Sequence, residues 1–152
     1  MTTTLSTINS NVLKEYIEEQ EERESLEKLV QQLGVAHKVI YRGTNLPEDD
    51  LKIGATYRRS HHNTLSSWSR SRKVAEGFAF ENIEDTLYEQ KVPVLLNCYN
   101  AVGFDVNTHI DTDFSSEEEI LCSCNWTIAN ITPRTRKHIS YLEIIVEQSQ
   151  QQ

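Results

Sequence analysis

No stretch of the 152-residue sequence approaches the roughly 18 consecutive apolar residues that a membrane-spanning helix requires, so no membrane partner is expected. The start, Met1-Thr2-Thr3-Thr4-Leu5, has neither the basic beginning nor the apolar centre of a secretory leader, which points to a cytoplasmic protein. Cysteine is scarce and odd in number: Cys98, Cys122 and Cys124. Three thiols do not make a disulfide framework, and a C-x-C without a C-x-x-C partner is a poor zinc signal, so no metal is expected and the thiols read as buried strand residues. An excess of positive charge is also missing. The net charge is −8 and the pI about 5.1, an overall field that repels a nucleic-acid backbone and makes nucleic acid a disfavoured partner. A local basic cluster can still hold a small anion such as a dinucleotide. No internal repeat is visible.

What is present is ordinary for one globular domain: 38% apolar and 25% charged residues in a chain long enough for one core. Residues 1–9 read as a flexible segment. Leu13, Tyr16, Ile17, Leu26, Leu29, Val30 and Leu33 follow helical spacing, giving a helical extension over 10–34 with Gly34 as its stop. Lys38-Val39-Ile40-Tyr41 reads as a strand ended by Arg42-Gly43, followed by a turn over 45–50 and a short strand over 53–57. Arg58 to Asn63 reads as a basic loop, with His61 and His62 as surface residues. Thr64 to Ser69 is a hydroxyl-rich strand. A helix follows over 73–80, with Val74, Ala75, Phe78 and Ala79 inward, and Ser69 and Ser71 are capping candidates. After a loop over 81–86, strand character runs from Leu87 to Tyr99, with Pro93 marking an edge or a strand start. Residues 101–114 read as loop. Strands are expected at 119–124, 126–131 and 139–146, a basic turn at 133–137, and a polar tail at 147–152. One or two helices followed by many short strands predict an α+β fold with mainly antiparallel sheets.

Ser115-Ser116-Glu117-Glu118-Glu119-Ile120-Leu121 organises this arrangement. If the segment is extended, Glu117 and Glu119 point to one side, and the apolar strand behind Glu119 holds it at its mouth. Such a pair can stabilise a cation and handle a proton. Two other strand-end features precede it: Tyr41-Arg42-Gly43 and Ser67-Trp68-Ser69. In this order the three motifs resemble the Arg-Ser-Glu (cholera-toxin-like, arginine-specific) type of the ADP-ribosyltransferase superfamily. That family has an aromatic-Arg motif, a Ser-x-Ser motif and a Glu-x-Glu motif opening its catalytic strand. Ala75 and Phe78 after the Ser motif, and Phe114 three before Glu117, extend the resemblance, which covers residues 36–146.

The resemblance implies two packed, mainly antiparallel sheets around an NAD cleft, with an N-terminal helix, in one domain over 1–152 whose core is 36–146. It implies NAD as co-substrate and a protein acceptor as partner. Arg42, with Gly43 beside it, would bind the pyrophosphate, since a guanidinium forks onto phosphate oxygens. Ser67 and Ser69 would join the cofactor site, Ser67 bonding the catalytic glutamate and the nicotinamide ribose. Glu119 would bind the ribose 2′-OH and stabilise the oxocarbenium-like transition state. Glu117, with Phe114, would recognise the acceptor and take its proton. Trp68, Phe78 and Phe80 are candidates to stack on nicotinamide, outside the firm set.

Trp68 stands where many members have Thr and phage-like members also have Trp, and Glu118 leaves the register of the Glu pair open by one until Ile120 favours Glu119. The implied activity is transfer of ADP-ribose to protein arginine by a phage or toxin-like effector in a host or target-cell cytoplasm. Two alternatives use the same fold: an NAD glycohydrolase, and a catalytically silent binding or inhibitor module. Arg58, Arg59, Arg70, Arg72 and Lys73 form a basic group that can serve the NAD phosphates or a macromolecular partner.

Overall fold

A computed structural model describes residues 28, 30–57, 65–106 and 118–149. The helical extension expected over 10–34 lies outside them except at its end, where residues 28 and 30–33 are helical. The basic loop from Arg58 to Asn63 also lies outside. The described residues form seven strands: β1 (Val35–Pro47), β2 (Thr56–Tyr57), β3 (Leu65–Ser69), β4 (Lys91–Asp105), β5 (Glu119–Ser123), β6 (Trp126–Arg136) and β7 (Ile139–Gln148). Two helices, α1 (Arg72–Phe80) and α2 (Ile83–Tyr88), lie between β3 and β4.

The strand order is β1-β3-β5-β4-β7-β6-β2, with β1 also paired to β4. All pairings are antiparallel except β4 with β7. The expected division into two sheets is not made by a gap in hydrogen bonding. β1 meets β3 at Tyr41 and Ser69, and the far end of β4 meets β5 at Phe104 and Leu121, so all seven strands are joined.

β4 is central because it is apolar on both faces. Val94, Leu96 and Cys98 enter the main core with Ile40, Trp68, Ile120, Cys122, Trp126, Ile128 and Ile144. Leu95 faces the other way, beneath Ala75 and Tyr141. Burial pushes the Cys98 thiol up to about 11 and the Cys124 thiol up to about 12, and raises Cys122 well above the usual thiol range.

Several boundaries differ from the sequence expectation. β1 does not end at Arg42-Gly43 but continues to Pro47, so the turn expected over 45–50 is reduced to a 3₁₀ turn at Glu48–Asp50. Gly43 serves a close contact: a Cβ there would lie 1.7 Å from the Ala75 carbonyl oxygen and 2.6 Å from Ala79 N. α1 therefore rests its backbone on β1, and Ala75 and Ala79 are its buried residues, whereas Phe78, expected inward, is 46% exposed. The stretch 81–86, expected as loop, contains the start of α2. Residues 101–105, also expected as loop, complete β4. Gly103 stands there because a Cβ would meet Ile120 Cγ2 at 2.4 Å.

Of the short strand expected over 53–57, only Thr56 and Tyr57 pair. The basic turn expected at 133–137 is strand as far as Arg136, and the chain reverses one step later, at Lys137-His138. Both residues have positive φ, 49° and 68°, the backbone of a two-residue hairpin turn. Gly34 follows the last helical residue, Leu33, without a left-handed backbone; a Cβ there would press on Val102 Cγ1 at 3.0 Å.

Candidate active site

β3 and β5 pair with Ser69 opposite Glu119 and Ser67 opposite Leu121. Opposed residues of an antiparallel ladder share a face, and residues two apart on one strand share it too. Ser67 is thus the diagonal neighbour of Glu119. Its hydroxyl donates to Glu119 Oε2 across 2.6 Å, a distance typical of a hydroxyl bonded to a carboxylate. Behind Glu119, the first residue of β5, Ile120, Leu121 and Cys122 are fully buried and anchor the carboxylate at the strand mouth.

The alternate residues of β3 face the core. Trp68 is 2% exposed, stacks against Trp126 with centroids 4.3 Å apart, and donates its indole N–H to Ser66 Oγ at 2.7 Å. Its place in the core keeps it from a bound nicotinamide. Phe80 is met edge-on by Tyr141 at 5.4 Å and covered by the Arg136 guanidinium at 4.8 Å, and Phe78 lies on the exposed side of α1.

Arg42 approaches Ser67 from β1. Its Nη1 donates to the Ser67 carbonyl at 2.6 Å and its Nε to the Tyr57 hydroxyl at 3.0 Å. Ser67 therefore carries Arg42 on its backbone and Glu119 on its side chain, and the three motifs converge on one residue. Tyr57 was not legible as part of this group; a tyrosine ending a two-residue strand carries no spacing signal that ties it to Arg42.

The buried Ser69 hydroxyl accepts from Ser71 N at 2.9 Å, and Ser71 caps α1 by accepting from Val74 N at 3.3 Å. Gly43 lies under α1, as described. Glu118 has φ of 49°, so the chain does not enter β5 in the extended form assumed for a same-side Glu117 and Glu119. The Glu118 carbonyl accepts from Arg70 N at 3.2 Å, and the Arg70 guanidinium reaches Asp105 at 3.5 Å and the Glu118 carboxylate at 4.0 Å. Arg70 thus links the end of β4 to the start of β5. Glu119, not Glu118, is the residue on Ser67. Glu117 and Phe114 lie outside the described residues, as do Arg58 and Arg59.

Arg72 is committed to a separate network. It forks onto Glu143 at 2.8 and 2.9 Å, with Arg134 at 3.4 Å from the same carboxylate and Glu76 at 3.9 Å from Arg72. Hydrogen bonding by Arg72 holds the Glu143 carboxyl below its usual range, and Glu143 in turn raises Arg72. Lys73 is exposed. Among the described residues, no group of three or more metal-ligating side chains forms a metal site, and no helix is long and apolar enough to cross a membrane.

No family model and no curated protein sequence matches the chain. Solved structures do. The ADP-ribosyltransferase Vis from Vibrio splendidus, in complex with an inhibitor, superposes with a TM-score of 0.62 at 16% identity, over 95% of this chain and 68% of that one. The enzymatic component C2-I of the Clostridium botulinum C2 toxin gives 0.61 at 15% identity, over 96% of this chain and 44% of its own. Exoenzyme S from Pseudomonas aeruginosa, bound to carba-NAD and human 14-3-3 protein beta, gives 0.56 at 13% identity, over 94% and 68%. The chain has the fold of these ADP-ribosyltransferases.

Proposed function

We propose that this protein is a mono-ADP-ribosyltransferase that moves ADP-ribose from NAD to a protein arginine and releases nicotinamide. The observation that carries this reading is the convergence on Ser67: Arg42 Nη1 on its carbonyl and Glu119 Oε2 on its hydroxyl, each at 2.6 Å. The fold is one used by NAD-dependent enzymes, one of them seen with carba-NAD.

Arg42 binds the NAD pyrophosphate. Two of its five N–H donors are committed to Ser67 and Tyr57, leaving the others to fork onto phosphate oxygens. Glu119 accepts from the nicotinamide-ribose 2′-OH. As the C1′–N bond breaks, nicotinamide departs as a neutral molecule with the bonding pair, and positive charge develops on the ribose. The fixed carboxylate is complementary to that charge, which the ground state lacks at the ring. Ser67 keeps the carboxylate aimed.

The acceptor nitrogen then bonds to C1′, and its proton passes to Glu117. An arginine stays protonated until that bond forms, so the base acts during transfer and contributes about 10²–10⁴-fold. Vis has been solved with agmatine, a guanidino amine, and that likeness supports a guanidinium acceptor here. Hydrolysis of NAD, with water as acceptor, uses the same Arg42, Ser67 and Glu119. Action inside a host or target cell, by a phage or toxin-like effector, fits the toxin and effector company of the fold.

The test uses a tagged NAD analogue with a bacterial lysate or agmatine, following both label transfer and free nicotinamide. Wild type should label protein, and Glu117→Ala should lose label while still releasing nicotinamide. Nicotinamide without label in the wild type would make the protein a glycohydrolase. Neither signal from the folded wild type would defeat the reading and favour the silent module.

A further inference from the structure

We infer that Tyr57 is a positioning residue that fixes the guanidinium of Arg42 for a diphosphate ligand, an inference that rests on the function proposed above. Tyr57 ends β2, whose two residues pair only with Thr127 and Trp126 among the described residues. Tyr57 is 7% exposed and belongs to the core cluster of Trp68 and Trp126. Phenylalanine would satisfy that packing. The hydroxyl needs a separate reason, and its described partner is Arg42 Nε at 3.0 Å.

A single hydrogen bond to the Ser67 carbonyl would let the planar guanidinium pivot. Bonds from both Nε and Nη1 fix its plane and its rotation about the last side-chain bonds. Ordering a long arginine before the ligand arrives removes that cost from binding. The identity of the acceptors matters as much as their number. Arg70, Arg72 and Arg134 meet carboxylates, which offset their charge. Among the described residues Arg42 meets a phenol and a carbonyl, both neutral, so neither offsets the charge it presents to an anion. Tyr57 therefore orients the cation without neutralising it, which a glutamate or aspartate in its place would not do.

The experiment compares wild type, Tyr57→Phe, Arg42→Lys and the double variant. Nicotinamide release gives kcat and KM for NAD, and NMR follows hydrogen exchange at Arg42 Nε–H, assigned by its loss in Arg42→Lys. Tyr57→Phe should raise KM about 10-fold with kcat within about 2-fold, as expected for a lost contribution to ground-state binding. Its Arg42 Nε–H should exchange faster, and its melting temperature should stay near the wild type because the ring remains. In the Arg42→Lys background the same change should alter KM by less than about 2-fold, because lysine has no Nε–H to fix. A purely structural role for Tyr57 would instead add to Arg42→Lys, and that additivity, or unchanged KM and exchange in Tyr57→Phe, overturns the inference while leaving the proposed function intact. A folded wild type that neither binds nor cleaves NAD overturns both.

Discussion

The Ser67 hydroxyl donates to Glu119 Oε2 across 2.6 Å, and this pair is diagonal in the β3–β5 ladder, with Ser69 opposite Glu119. The register supplies the pairing without any loop having to fold around it. Arg42 reaches the same serine through the backbone carbonyl, which side-chain substitution leaves in place. Ser67→Ala should therefore lower kcat for nicotinamide release about 10–100-fold, the value of one hydrogen bond to a charged group, while KM for NAD changes little. Steady-state kinetics on the purified variant check this.

Gly43→Ala should unfold the contact between α1 and β1. The new Cβ would sit 1.7 Å from the Ala75 carbonyl, so helix and strand must separate, at a cost of about 3 kcal/mol or more. Gly77→Ala is the control: nothing lies within 4 Å of its Cβ, and alanine in a helix gains up to about 1 kcal/mol over glycine. Thermal melts should move in opposite directions.

Glu143 predicts a pH dependence. Its folded carboxyl titrates below the usual value of 4.5 because Arg72 bonds it. A lowered carboxyl stabilises the fold above the unfolded value, and that stability disappears as pH falls through the folded one. Glu143→Gln should cost about 1 kcal/mol at pH 7, since Arg72 is 40% exposed and screened, or about 2–4 °C in melting temperature. The difference from wild type should shrink below about pH 4 and vanish once the folded carboxyl is protonated.

The cysteines predict inertness. With Cys98 raised to about 11 and Cys124 to about 12, at pH 8 only about one thiol in a thousand or fewer is thiolate, and all three are buried. A chromogenic disulfide reagent should find no fast-reacting group among these three until denaturant is added.

The candidate site was legible where its residues sit on regular strand. Arg42 follows and Glu119 precedes an apolar run, in what became β1 and β5, Ser67 lies in the hydroxyl-rich stretch that became β3, and strand pairing then brought them together. What was not legible depends on tertiary contact. Gly43 looks like a strand terminator, yet it is the point where α1 touches β1, and that same contact turns Ala75 and Ala79 inward and leaves Phe78 out. Gly103 looks like loop and is strand, because the Ile120 and Cys122 side chains lie where its Cβ would be. Pro133 looks like a turn residue, but among the described residues β2 covers β6 only at Trp126 and Thr127, and proline lies where β6 has no described partner on that side and a missing N–H is tolerated. The positive φ of Glu118 likewise answers to its link with Arg70, which no local pattern announces.

The most direct measurement is nicotinamide release from NAD by wild type and by Glu119→Gln, with both proteins shown to be folded. The account predicts turnover by the wild type and a loss of about 10²–10³-fold in the variant, because the amide keeps a bond to Ser67 but carries no charge for the developing cation. Equal turnover by the two proteins, or none by the folded wild type, would contradict it.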